Sequence, residues 1–292
     1  MPKIAIVTDN NSGISQSEAL THGDVFVIPM PFFIDDITYY EDINLTIPEF
    51  YDMMASGADI LTSQPSPENV LQTWDRLLET YDEIVHIPMS SSLSGSCQTA
   101  MMLAEDYEGK VQVVNNQRIS VPLRQSVLDA KELAIRGKTA VQIKDILEKD
   151  RFNCSIYIML DTLQYLKKGG RITPAAATLG TILRIKPVLQ IQGEKLDAFA
   201  KARTASQGKT IMLNAVHNDI ENRFGGAANK GFWLQIAHTQ NEDAAKSLKE
   251  ELSVLYPDVD VYIDDLTLSI ACHTGPGALG VAVCKRLYYD NM

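Results

Sequence analysis

The feature that most constrains this chain is a regular exchange of short apolar runs and helix signals through its first half. Lys3–Thr8 reads as a short strand that ends in polar Asp9-Asn10-Asn11-Ser12. Thr46 with Glu49 forms a capping box for a helix that stops near Gly57. Ser66 followed by Pro67 is an N-cap with proline at the first helical position. Val70, Leu71, Trp74, Leu77 and Leu78 then recur at helical spacing. A buried strand at Glu83–Pro88, a helix after Gly95 and a strand at Val111–Asn115 follow. Helices at Leu123–Arg136 and Ala140–Lys149 come next, the second capped by Thr139 with Gln142, and then a strand at Cys154–Met159. This order predicts an α/β domain with a mostly parallel, helix-covered sheet, because parallel neighbours require crossover connections.

The second half changes character. Ala175-Ala176-Ala177-Thr178-Leu179-Gly180 is rich in small residues. Val188–Gln192 and Lys195–Ala200 flank Gly193 as a hairpin. The remaining expectation is helix Ser206–Arg223, strand Phe232–His238, helix Asp243–Leu255, strand Val259–Leu266 and helix Ala278–Leu287. That pattern predicts a second α/β domain with a smaller mixed sheet. The change falls near residue 160, giving domains over 1–160 and 161–287. A length of 292 residues suits two domains at roughly 100–200 residues each.

Charge narrows the partners. Lys+Arg is 26 against Asp+Glu 37, a formal net charge of −11. An acidic chain is a poor default ligand for nucleic acid or an anionic membrane surface. A small anion remains open, because local donors outweigh distant charge. The uncharged stretches Ile84–Ala104 and Leu266–Cys284 are interrupted by a serine cluster and a Gly-Pro-Gly, so neither reads as a membrane span. No signal-peptide pattern precedes the first strand, and a cytoplasmic location is expected. Cys97, Cys154, Cys272 and Cys284 form no C-x-x-C pair and read as buried reduced thiols.

Hydroxyl residues and glycines gather where helices are expected to begin. The segments are Leu61-Thr62-Ser63-Gln64-Pro65-Ser66, Met89-Ser90-Ser91-Ser92-Leu93-Ser94-Gly95-Ser96 and His273-Thr274-Gly275-Pro276-Gly277. Helix N-termini carry unpaired N–H groups and partial positive charge, which suits an anion. Capping alone accounts for any one of them. Gly275-Pro276-Gly277-Ala278-Leu279-Gly280 matches G-x-G-x-x-G, but only twelve residues follow, too few for a dinucleotide unit. A tight turn into a helix N-terminus, suited to a carboxylate or single phosphate, is the expectation that remains.

Catalytic patterns are weak. There is no phosphate-binding G-x-x-x-x-G-K-[ST] loop and no G-x-S-x-G elbow. The histidines at 22, 86, 217, 238 and 273 lack metal-ligand spacing. Asp9 and Asp264-Asp265 read as acids in solvated turns. Nothing supports a catalyst with a cofactor of its own. Lys167-Lys168-Gly169-Gly170-Arg171 and Lys201-Ala202-Arg203 are the clearest basic clusters, on a solvated loop or a partner-facing rim.

Together, Ile6-Val7-Thr8-Asp9, Thr62-Ser63-Gln64-Pro65-Ser66, Ser91-Ser92-Leu93-Ser94-Gly95-Ser96, Leu166-Lys167-Lys168-Gly169-Gly170-Arg171-Ile172 and His273–Gly280 resemble the DegV family of bacterial fatty-acid-binding proteins, over roughly residues 3–286. The resemblance implies two α/β domains with a fatty acid in a cleft between them. It implies a carboxylate held by Thr62 and Ser94, with the Gly95 backbone as a further donor and His273 beside the head group. Some members present the lipid to a separate ATP-using kinase, and the resemblance then places kinase docking on Arg171 and Arg203. No cofactor and no stable membrane insertion are implied. A carboxylate needs two or three charge-assisted donors, and each buried CH₂ adds roughly 0.8 kcal/mol. The small residues Ala175–Ala177 and Gly180 would leave room for an acyl chain or, on the alternative reading, let helices pack tightly. The competing reading is an acyl hydrolase using Ser94, His273 and an acid such as Asp9 or Asp264.

The chain departs from the family pattern at three places. Asn10-Asn11-Ser12-Gly13 follows the first strand, Asn115-Asn116 stands where an acid is usual, and Val121-Pro122-Leu123-Arg124-Gln125 replaces a segment with glycines. All lie outside the inferred head-group residues.

Overall fold

The structure is a computed structural model and describes residues 2–178, 185–193 and 195–289. Its strands are β1 (Ile4–Asp9), β2 (Val25–Ile28), β3 (Pro31–Ile34), β4 (Ile37–Tyr40), β5 (Ile60–Thr62), β6 (Glu83–Ile87), β7 (Val111–Val113), β8 (Cys154–Met159), β9 (Lys186–Ile191), β10 (Leu196–Ala202), β11 (Phe232–His238), β12 (Val261–Asp265) and β13 (Leu279–Lys285). The chain divides into two units. The first runs to Arg151 and reclaims Thr267–Ser269; the second takes Phe152–Leu266 and everything from Ile270.

In the first unit, β2-β1-β6-β7 form a wholly parallel sheet. Every residue of β1 is buried, the mark of a strand covered on both faces. Trp74, on the helix Pro67–Leu78, is fully buried with Val7, Ile84, Cys97 and Val111. The capping boxes at Thr46 and Thr139 and the Ser66–Pro67 start form as expected.

A second, three-stranded antiparallel sheet, β4-β3-β5, was not legible in the sequence. Its strands are only three or four residues long. The β3–β4 hairpin turns through Asp35 and Asp36, both at positive φ (46° and 67°). Asn-Gly is the usual signal for such a turn, and an Asp pair does not announce it.

The second unit carries a mixed six-stranded sheet, β10-β9-β8-β13-β11-β12, antiparallel except for β11–β12. Helices Ala205–Arg223 and Glu242–Leu255 cover one face, burying Met212, Val216, Leu248 and Leu252 against Tyr157, Ile236, Val281 and Val283.

Two expectations are corrected here. The strand Cys154–Met159 belongs to the second sheet, so the units part between Arg151 and Phe152, not near residue 160. A buried strand carries no mark of which sheet it will join. The expected helix Ala278–Leu287 is instead β13, a central strand between β8 and β11. A short apolar run buried on both faces has no period to separate strand from helix; Val281 and Val283 were the β-branched cue.

Among the described residues no helix is long and apolar enough to cross a membrane.

Candidate functional site

In the first unit the sequence-predicted donors sit on two segments joined by Gln64. Thr62 ends β5 opposite Phe32, and Ser63 N–H donates to the Pro31 carbonyl at 3.1 Å. Two residues on, the Gln64 amide donates to Thr99 Oγ1 at 3.0 Å and accepts from it at 3.3 Å. Thr99 lies on the helix Ser96–Ala104, whose N-cap is Gly95. A Cβ on Gly95 would lie 2.9 Å from Gln64 Oε1, so any larger residue there would displace the Gln64 amide. The Thr62–Ser66 segment is thereby held against the start of that helix.

Ser94 precedes Gly95 in a turn in which Leu93 and Ser94 N–H both donate to the Ser90 carbonyl, at 3.0 and 3.1 Å. Ser94 Oγ accepts the Ser96 N–H at 3.2 Å. Thr62 and Ser94 are half-buried and Gly95 is exposed. Hydroxyls beside a helix start can donate to a carboxylate while the backbone N–H adds a dipole-assisted contact. Ser66 does a different job: its Oγ caps the next helix by accepting the Asn69 N–H at 3.2 Å.

Asp9 is a residue the sequence reading undervalued. It is buried, not in a solvated turn. Parallel pairing of β1 and β6 brings their ends together, so Asp9 Oδ2 accepts the Met89 N–H at 2.8 Å, and Oδ1 accepts the Asn11 N–H at 3.0 Å. Burial raises its pKa from 3.8 to about 6, and these hydrogen bonds oppose the rise. Asp9 therefore shapes the start of the serine loop. The available signal was its place directly after a fully apolar strand.

Asn10 and Asn11, departures from the family pattern, are also structural. Asn10 Oδ1 accepts the Met30 N–H at 2.9 Å, and its amide donates to Glu41 at 2.9 Å. Asn11 Oδ1 accepts from Thr267 Oγ1 at 3.4 Å and from Ser269 Oγ. Both Glu41 carboxylate oxygens lie 3.1 Å from the Leu268 N–H. These contacts bind Thr267–Ser269 to the first unit.

His273 belongs to the second unit, near the C-terminal end of the helix Leu268–Thr274. The expectation of a helix N-terminus after Gly277 is thus overturned: the turn leaves one helix and enters β13. Gly275 and Gly277 hold φ of 73° and 82°. Thr239 fixes this turn, donating from Oγ1 to the Gly275 carbonyl at 2.6 Å and accepting the Ala278 N–H at 2.9 Å.

The Gly169-Gly170-Arg171 motif meets His273 within the same unit. A Cβ on Gly169 would fall 2.0 Å from His273 Nδ1. Burial, with the nearby Arg171 charge as a smaller cause, lowers the His273 pKa to about 4. The imidazole is therefore neutral at pH 7. A base that weak is poorly suited to take a serine proton, which weakens the hydrolase reading. Asp264, the other candidate acid, accepts instead from Tyr262 Oη at 3.1 Å and the Asp265 N–H at 3.0 Å. Arg171 and Arg203 are both exposed, the latter before the helix Ala205–Arg223. Of the small residues, Ala176 is buried, whereas Gly180 lies outside the described residues.

The family model described as "Uncharacterised protein, DegV family" matches residues 3–286. A DegV domain-containing protein of Streptomyces coelicolor is 30% identical over 285 residues, covering 97% of this chain and 99% of that protein. Protein DegV of Bacillus subtilis is 30% identical over 290 residues, covering 97% of this chain and 99% of its own length. Among solved structures, the chain is similar to a DegV family protein from Thermus thermophilus described by its fatty acid binding. The TM-score is 0.87 at 31% identity, over 97% of this chain and 99% of that one. It is also similar to Bacillus subtilis DegV, described as a fatty acid binding protein, with TM-score 0.85 at 27% identity over 98% and 100%.

Proposed function

Because the chain belongs to the DegV family, we propose that it binds a long-chain fatty acid. The observation that carries this reading is the likeness, over nearly the whole chain, to the Thermus thermophilus structure described by its fatty acid binding. The carboxylate is held by the Thr62 and Ser94 hydroxyls and the Gly95 N–H, with His273 as a further neutral group. The Gln64 clamp supports this assignment, because it fixes the Thr62 segment against the helix that Gly95 opens. The chain performs no chemistry on the lipid and takes no cofactor. It presents the carboxylate to a separate ATP-using kinase, with Arg171 and Arg203 as the docking cations; their exposure in an acidic chain supports that role.

Mass spectrometry of the purified protein after denaturation tests the binding. Release of a stoichiometric fatty acid is expected. Repeated absence of lipid, with no uptake of a labelled fatty acid, rejects the proposal. The kinase role has its own test. Arg171→Ala and Arg203→Ala should slow phosphorylation of the bound lipid by a fatty acid kinase while leaving lipid content unchanged.

A further inference from the structure

The first and last strands of the second unit, β8 and β13, lie side by side, and their register sets Cys154 opposite Cys284. The two Sγ atoms are 2.9 Å apart. The backbone is suited to a covalent link. At the next pair, Lys285 N–H donates to the Asn153 carbonyl at 2.8 Å, which makes Lys285 and Asn153 a hydrogen-bonded pair. Pairs alternate along an antiparallel ladder, so Cys154 and Cys284 form a non-hydrogen-bonded pair. Such pairs place their Cα atoms about 4.5 Å apart, inside the span of roughly 4.4–6.8 Å that a disulfide bridges.

The surroundings single this pair out. Side chains alternate across a strand, so Cys284 faces away from the helix-packed core that takes Val281 and Val283. On that other face its thiol lies 3.9 Å from Gln235 Oε1, a polar acceptor. Cys97 and Cys272 lie instead on helices, Ser96–Ala104 and Leu268–Thr274, and not on paired strands.

We propose that Cys154 and Cys284 are a reversible disulfide site, oxidised by a low-molecular-weight disulfide, that fastens the first strand of the second unit to its last. Cys154, 5% exposed against 0% for Cys284, is the first to react. Its thiolate, having released its proton to water, attacks one sulfur of the small disulfide. That S–S bond breaks, a mixed disulfide forms, and the expelled thiolate takes up a proton. The Cys284 thiolate then attacks the Cys154 sulfur and displaces the second small thiol. Two protein thiols are oxidised and one small disulfide is reduced to two thiols. Both thiols are buried, so exchange proceeds when the start of β8 opens locally.

The test uses the full chain without substitution. It is incubated with oxidised glutathione, quenched by alkylation, denatured and mapped by mass spectrometry. The thiol count is expected to fall from four to two, with one peptide pair joining Cys154 to Cys284 and four thiols restored by dithiothreitol. The Cys97→Ala/Cys272→Ala variant is expected to give the same bridge, and Cys284→Ala none. Four thiols remaining in the unsubstituted chain, or bridges that use Cys97, Cys272 or a second chain, overturn the proposal.

Discussion

Asp9 accepts the Met89 N–H at 2.8 Å, so the carboxylate that ends the first strand also sets where the serine loop begins. Its folded pKa, about 6, lies above the unfolded value of 3.8. Between these values the folded state binds more protons than the unfolded one, so this group stabilises the fold as pH falls through that window. Its charge costs stability above about pH 6. Asp9→Asn should remove the dependence. Relative to that variant, the natural protein should lose on the order of 3 kcal/mol between pH 4 and pH 7. Urea unfolding of both proteins across this range measures it, and parallel pH profiles would refute the assignment.

Gly95 and Gln64 leave no room for a methyl group, with 2.9 Å between a Cβ at residue 95 and Gln64 Oε1. Gly95→Ala should push Gln64 off Thr99 and loosen the Thr62 segment. The expected result is weaker fatty-acid binding by about 1–2 kcal/mol, the value of one or two hydrogen bonds, with little change in unfolding midpoint. Displacement of a fluorescent fatty acid measures the affinity. A variant that binds as before would show that the clamp does not position the donors.

Thr62→Val and Ser94→Ala each remove one proposed donor to a charged group. Each should weaken binding by about 1–3 kcal/mol while thermal stability changes little. Titration calorimetry on delipidated protein separates the two effects. Unchanged affinity in both variants would place the carboxylate elsewhere.

Gly169→Ala places a Cβ 2.0 Å from His273 Nδ1, a clash that the ring relieves by moving aside. Overpacking of this kind costs about 1–3 kcal/mol. The imidazole, now depressed to about 4 by burial, should titrate closer to its ordinary value of about 6.5 once displaced into water. NMR titration of the His273 ring protons checks this. A ring that still titrates near 4 would mean that the backbone has yielded instead.

Local signals carried much of this architecture. Thr46, Ser66 and Thr139 cap helices at the positions their neighbours dictated. The strand–helix alternation foretold a parallel sheet, and β1, β2, β6 and β7 form one. What failed was decided by long-range pairing. Nothing local in Cys154–Met159 says that its partners are Val188–Ile191 and Leu279–Cys284. The G-x-G before β13 looked like a helix start because turns into helices and strands share the same glycines. At the candidate site, the hydroxyl-rich loops stood out by composition, and the family resemblance pointed within them to Thr62, Ser94 and Gly95. Gln64 did not, because its role depends on Thr99, thirty-five positions away. Asp9 was misjudged because sequence shows a carboxylate but not whether water reaches it.

The capture of Thr267–Ser269 by Asn11 and Glu41 has a consequence for dissection. A fragment ending at Arg151 would keep the acceptors on Asn11 and Glu41 and discard the donors that reach them from the far end of the chain. No single cut yields both units intact. Separate production would require grafting Thr267–Ser269 back by a linker, and recombination at one junction cannot exchange one unit while leaving its neighbour whole.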